Sequence, residues 1–153
     1  MITVKSAGVD DIEDAMKIGF KFWAETPVYS KYEWDTKNAY SFLEDVALDN
    51  DDACMYLAYM DDKVIGLIIG EVIKFYFSKA RFLQDMFIYV LPEARGGKAA
   101  YLLMQEYLKF GKEKEVDEVF FEVSAGIDNE KSISFLERFG FKTMAHGMVL
   151  ENK

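Results

Sequence analysis

Apolar residues recur along this chain with two different periods, and the switches between them mark out its elements. Ile12, Ala15, Met16, Gly19, Phe20 and Trp23 fall at i, i+3, i+4, i+7, i+8 and i+11, one face of a helix predicted over 10–24. Thr26-Pro27 ends it, because the residue before a proline avoids helical backbone. Behind Asp35, a residue suited to capping, Ala39, Phe42, Leu43, Val46 and Ala47 repeat the helical spacing. The pattern then becomes strand-like. Residues 54–59 are apolar on both faces, as in a strand covered on both sides. Asp61-Asp62 makes a short turn into a long strand over 63–75, where Gly66 and Gly70 suggest a bulge or a close backbone approach. A third central strand follows over 82–90. After a loop at 91–97, Ala100, Leu103, Met104, Tyr107 and Leu108 line a helix over 98–112. A strand over 118–124, a helix over 130–138 capped by Asp128-Asn129 and closed by Gly140, and a last strand over 142–150 complete the chain; 3–6 is its first strand.

An antiparallel meander therefore precedes a βαβ unit. The expected class is α/β (α+β), a mixed and mostly antiparallel central sheet with helices on both faces. With 153 residues, and about 150 per domain as the prior, it forms one domain spanning 1–153. A hydrophobic fraction of 51% with 29% charged residues belongs to a globular chain, not a disordered one. The apolar runs, such as 64–69, fall far short of the ~20 residues needed to cross a bilayer, so no membrane partner is expected. Residues 1–5 show no basic segment followed by an apolar one, so no signal peptide is expected. One cysteine and one histidine build neither an internal disulfide nor a metal site, and the expected compartment is cytoplasmic. A net charge of −9 argues against nucleic acid and suits a cationic partner.

The stretch 82–108 carries the chemistry. A glycine-bearing loop that opens a helix offers free amides and the positive end of the helix dipole to an anion. Gly96 and Gly97 permit close approach, and Arg95 and Lys98 add two cations, so phosphate or pyrophosphate is the natural guest. The loop is neither a Walker loop nor GxGxxG; taken alone it is equally a plain helix start.

Val90-Leu91-Pro92-Glu93-Ala94-Arg95-Gly96-Gly97-Lys98-Ala99-Ala100 resembles the V-x-P-x-x-R-G-x-G-x-[GA] signature of the GNAT superfamily of N-acetyltransferases. The stretch from Asn129 to Phe141 resembles that family's N-x-x-A-x-x-[LF]-Y-x-[KR]-x-G-F, at the usual separation. The wording of 92–98 also loosely resembles phage-encoded members. The resemblance implies acetyl-CoA in a cleft where two central strands splay. Its pantetheine would pair with backbone of Ile88, Tyr89 and Val90, and its pyrophosphate would rest on the amides of Arg95, Gly96, Gly97, Lys98, Ala99 and Ala100. Asn129 and the helix face carrying Ser132 and Phe135 would flank the pantetheine arm. The acceptor, an amine on a small molecule or a protein, would enter beside the first two helices. There Trp23, Glu25 and Tyr29 lead a group of aromatics and carboxylates that suits a cationic amine. The alternative is that these aromatics cover the core or a dimer interface. A monomer and a homodimer both remain open.

Three departures from the family pattern stand out. Lys98 replaces a loop glycine; its Cβ would crowd the pyrophosphate unless Gly97 next door supplies the needed flexibility. Leu136 replaces the tyrosine that commonly protonates the leaving thiolate; Ser132, one turn earlier on the same face, is the candidate substitute. Gln84 stands where some members carry a glutamate base. Asp85 beside it is the candidate base, provided that a bulge re-aims it, since in a regular strand it faces the other side. Both candidates have a purely structural alternative. The expectation is direct acetyl transfer in a ternary complex. The competing reading is a weak or inactive relative that binds CoA or a protein partner.

Overall fold

The computed structural model describes residues 1–49 and 51–152. Its strands β1 (Ile2–Ser6), β2 (Ala53–Met60), β3 (Lys63–Lys74), β4 (Arg81–Val90) and β5 (Glu118–Phe120) form one sheet in the order β1-β2-β3-β4-β5. The first three pairings are antiparallel, and β4 with β5 is parallel. The helices are α1 (Ile12–Glu25), α2 (Thr36–Leu48), α3 (Ala99–Glu113) and α4 (Asn129–Glu137). A single turn of 3-10 helix at Val9–Asp11 leads into α1, which therefore starts two residues later than the spacing predicts.

The hairpin between β2 and β3 turns on Asp61 and Asp62, both at positive φ (49° and 68°). A two-residue loop with both φ positive matches the twist of the flanking strands, and aspartate tolerates it. β3 is buried continuously from Val64 to Gly70 because α1 lies against one face and α3 against the other. Leu57, Ile65, Leu67, Ile68, Ile69, Leu83, Leu103, Met104 and Tyr107 are fully buried and make the core. Gly70 is required by that packing: a Cβ there would lie 2.4 Å from Cε2 of Tyr107, which lies over it.

Both glycines of β3 sit next to irregularities, as expected. Ala58 pairs Gly66 and Tyr59 pairs Val64, leaving Ile65 as an extra residue. Ile69 pairs Phe87 and Gly70 pairs Asp85, leaving Met86 as an extra residue of β4.

Two expectations fail. The strand predicted over 118–124 ends at Phe120, because the next strand-edge amide, that of Glu122, is taken by the Asp85 carboxylate and not by a β4 carbonyl. The strand predicted over 142–150 does not form, and every residue in it is exposed. Met148, Val149 and Leu150 are consecutive, so they give no one-sided face, and the three-residue β5 is a short template at the sheet edge. No helix among the described residues is long and apolar enough to cross a membrane.

Candidate functional site: the cleft between two parting strands

β4 and β5 pair over only three residues, the last pair being Gln84 with Phe120. Beyond it the two segments diverge, and the outer edge of β4 from Asp85 to Val90 meets no strand among the described residues. The extra residue Met86 sets what each side of β4 presents. Leu83 lies on the α3 side, against Gly111, and the Asp85 charge is felt by Tyr107 of α3. Without a bulge, Phe87 and Tyr89 would share that side. Instead the Phe87 ring stacks on Phe22 of α1 at 4.7 Å, and the Tyr89 hydroxyl donates to Glu25 Oε1 at 2.7 Å.

Asp85 sits at the point of divergence with only 8% of its surface exposed. Its Oδ1 accepts from the Glu122 backbone amide at 2.8 Å and from Gln84 Nε2 at 2.9 Å. Burial pushes its carboxyl up to about 6, against the opposing pull of these two bonds; the Glu122 charge adds to the rise. The carboxylate thus bridges the two strands at the fork; the bulge lies beyond it at Met86 and re-aims Phe87 and Tyr89, while Asp85 itself keeps the α3 side.

The cleft above the fork encloses about 130 Å³. β4 contributes Asp85, Met86, Phe87 and Ile88, and the chain after β5 contributes Phe121 to Ala125 and Ile127. α4 supplies Asn129, Ser132, Phe135 and Leu136, while Phe22 and Tyr29 close the α1 side. Asp85, Ile88, Asn129, Ser132, Phe135 and Tyr29, singled out in the sequence, are brought together here. Asn129 Oδ1 also accepts from the Gly126 amide at 3.3 Å, fixing the turn before α4. Trp23 and Glu25 lie outside this lining.

The loop after β4 is tied down by the Leu91 amide bonding the Ile65 carbonyl at 2.8 Å and by a one-turn 3-10 segment at Pro92–Ala94. The Arg95 amide is used within it, on Pro92. Among the described residues, the amides of Gly96, Gly97, Lys98, Ala99 and Ala100 donate to no protein acceptor, and no side chain caps α3. Gly96 turns the chain at φ +85° with open space where a Cβ would be. Lys98 is at φ −93°, ψ −5°, right-handed backbone open to any residue. These free amides at a helix start fit a pyrophosphate.

Arg95 departs from its expected charge role. Its two terminal nitrogens donate to the two Glu25 carboxylate oxygens, each at 2.9 Å, and its Nε donates to the Val90 carbonyl at 2.9 Å. The guanidinium lies 5.2 Å from the Tyr89 ring centre. The Arg95 bond holds the Glu25 carboxyl below its usual range, with burial opposing and Tyr89 adding a second donor. Glu25 is therefore committed to Arg95 and Tyr89, not open to an amine, and Arg95 contributes its position more than its charge to the loop. Opposite charges separated by 70 residues left no periodic signal in the sequence.

Trp23 is likewise structural. Its Nε1 donates to the Tyr32 carbonyl at 2.9 Å, and Phe20, Trp23 and Trp34 pack within 5.3–5.7 Å of one another. They brace the segment between α1 and α2 that carries Tyr29. Sequence reasoning missed Ser124, whose Oγ lies 3.2 Å from the Tyr29 hydroxyl across the cleft. Cys54 is buried, and burial pushes its thiol up to about 12, so it is a core residue and no nucleophile.

Comparison with known proteins agrees with this geometry. The acetyltransferase (GNAT) family matches residues 13–141. The solved aminoglycoside acetyltransferase AAC(6')-Iy, in complex with a bisubstrate analogue of CoA and acetylneamine, is similar with TM-score 0.78 at 17% identity, over 100% of this chain and 99% of that one. A ribosomal-protein-alanine N-acetyltransferase from Brucella melitensis biovar Abortus 2308 has TM-score 0.72 at 15% identity, over 99% of each chain. A predicted acetyltransferase from Clostridium acetobutylicum, solved with acetyl-CoA, has TM-score 0.77 at 16% identity, over 99% of this chain and 96% of that one. No curated protein sequence matches the chain. A family match over most of the length, on a sheet forked at β4 and β5, places this chain in the GNAT family of acetyltransferases.

Proposed function

We propose that this chain moves the acetyl group of acetyl-CoA onto a primary amine, by direct attack while donor and acceptor are both bound. The observation that carries this reading is the outer edge of β4 above Asp85, which meets no strand and has its Val90 carbonyl bonded to Arg95 Nε, leading along the chain to the free amides of 96–100 at the start of α3. The amides would hold the pyrophosphate, and Ile88 to Val90 would offer backbone partners to the pantetheine. Asn129, Ser132 and Phe135 would flank it from α4. Backbone donors on the parted strand can stabilise negative charge on the carbonyl oxygen. Asp85, a lining residue of the cleft whose carboxyl burial pushes up to about 6, would take the proton of the attacking nitrogen.

Similar folds act on acceptors of both kinds, an aminoglycoside amine in one case and a ribosomal-protein alanine in another. The acceptor class is tested by following thiol release from acetyl-CoA against neamine, spermidine and peptides with a free N-terminal alanine or an internal lysine. Thiol release that depends on one of these amines and is lost in Asp85→Asn supports the reading. Tight CoA binding without amine-dependent release supports the second reading, a CoA-binding relative without transferase activity. Leu136, where the family commonly has tyrosine, favours that alternative.

A further inference from the structure

We propose that Tyr29, on the segment between α1 and α2, donates the proton to the departing sulfur that the residue at Leu136 cannot supply. The inference rests on the acetyltransferase reading above. Leu136 is 6% exposed and lines the cleft with carbon alone, so α4 offers no acid at that position.

Three hydroxyls line the cleft: Tyr29, Ser124 and Ser132. Their chemistry separates them. A phenol with an ordinary pKa of about 10 is close to a thiol of about 8.5, so passing its proton to a thiolate is only about thirtyfold uphill. An alcohol is a far weaker acid and can relay a proton but not readily give one up. Of the three, Tyr29 alone is a phenol.

Its placement is built rather than incidental. The Tyr29 amide donates to the Thr26 carbonyl at 3.1 Å, and the Tyr29 carbonyl accepts from the Tyr32 amide at 3.0 Å. Thr26 is buried and its hydroxyl donates back to the Phe22 carbonyl, so the turn is fixed to α1. The Tyr29 ring lies 6.0 Å from that of Phe22, and its hydroxyl reaches across the cleft to Ser124 Oγ at 3.2 Å. Ser124 is exposed and connects the phenol to solvent.

The step balances. The acceptor nitrogen loses a proton to Asp85 as the C–N bond forms. The C–S bond breaks with its electron pair on sulfur, the Tyr29 O–H bond breaks, and an S–H bond forms. The phenolate then recovers a proton from water through the Ser124 hydroxyl, and Asp85 returns its proton to water.

A donor to the departing sulfur also stabilises the thiolate of bound CoA, so the test needs no acceptor. Calorimetry with CoA, followed by ultraviolet titration of the bound thiol, is run on the full chain and on Tyr29→Phe, Ser124→Ala and Ser132→Ala. Tyr29→Phe is expected to bind CoA within about twofold of the parent, while the bound thiol titrates roughly one pH unit higher. Its acetyl transfer should fall roughly 10²-fold in kcat with the KM for acetyl-CoA unchanged. The proposal is overturned if the thiol titrates alike in parent and Tyr29→Phe, or if Ser132→Ala moves it and Tyr29→Phe does not. Loss of CoA binding in Tyr29→Phe alone overturns it as well, because the ring is then a wall and not a donor. Absence of CoA binding in the parent overturns the acetyltransferase reading, and this inference with it.

Discussion

Asp85→Asn should stabilise the protein above about pH 6 while disabling it. In the unfolded chain the Asp85 carboxyl titrates near its ordinary 3.8; in the fold, burial pushes it up to about 6. The folded state therefore binds this proton more tightly than the unfolded state. Stability is highest, as far as this group is concerned, below the unfolded value. It is lost as pH rises through the window from about 4 to about 6, and the cost stays constant above it. A difference of about 2 pH units at 1.36 kcal/mol each sets that cost near 3 kcal/mol, an upper figure for a mostly buried group. Asparagine carries no charge to bury, and its side-chain oxygen still accepts from the Glu122 amide, the bond that holds the fork. Gln84 donates to that same oxygen, so asparagine keeps this bond too, but both bonds lose the help of the charge, which returns about 1 kcal/mol. The net expectation is a gain of roughly 1–3 kcal/mol at pH 8, vanishing toward pH 4. Urea unfolding of parent and variant at several pH values reads both the gain and its slope. A variant less stable than the parent at pH 8, or one with the parent's pH slope between 4 and 6, would refute the reasoning. So would unimpaired acetyl transfer, since the variant has no carboxylate to take a proton.

Gly70→Ala should destabilise by roughly 1–3 kcal/mol, because its Cβ would meet Tyr107 Cε2 at 2.4 Å and a packed ring over a buried strand has little room to move; thermal unfolding measures it. Glu25→Gln should cost at most about 1 kcal/mol of stability, since the partner Arg95 is more than a third exposed. The Glu25 contribution is present above its unfolded pKa, ordinarily near 4.5, and is lost as pH falls through the lower folded value, so the deficit of Glu25→Gln should shrink in acid. Because Arg95 would lose its carboxylate partner beside the CoA loop, Glu25→Gln is also expected to weaken CoA binding several-fold, which calorimetry reads.

The elements that position the cleft were legible where one physical constraint dominates. The helical faces of α1, α2 and α3 are set by burial against one sheet, so their spacing alone located them within two residues. Gly66 and Gly70 announced irregular pairing, but not which strand would carry the extra residue; at Gly70 it is Met86 on β4, and that choice turns Phe87 and Tyr89 toward α1. The free amides after Arg95 were legible because they follow from a glycine-rich helix start. The Glu25–Arg95–Tyr89 cluster was not, because side-chain pairing over 70 residues depends on the tertiary fold. The left-handed residue of the loop is Gly96, while Lys98 stands in right-handed backbone. The predicted last strand failed because apolar content was read without a one-sided alternation to support it. Ser124 carried no signal until the fold placed it opposite Tyr29.

The central claim is that the parted strands and the amides of 96–100 form a CoA site. Thermal unfolding of the parent and of Gly97→Glu with and without CoA tests it most directly. A ligand at a hundredfold excess over its Kd stabilises the fold by about 2.7 kcal/mol, a rise of roughly 5–10 °C in Tm for a domain of this size. The account predicts that rise for the parent and a smaller one or none for Gly97→Glu, which adds a negative charge to the loop of free amides. An unshifted parent at millimolar CoA, or an equal shift in both proteins, would contradict it.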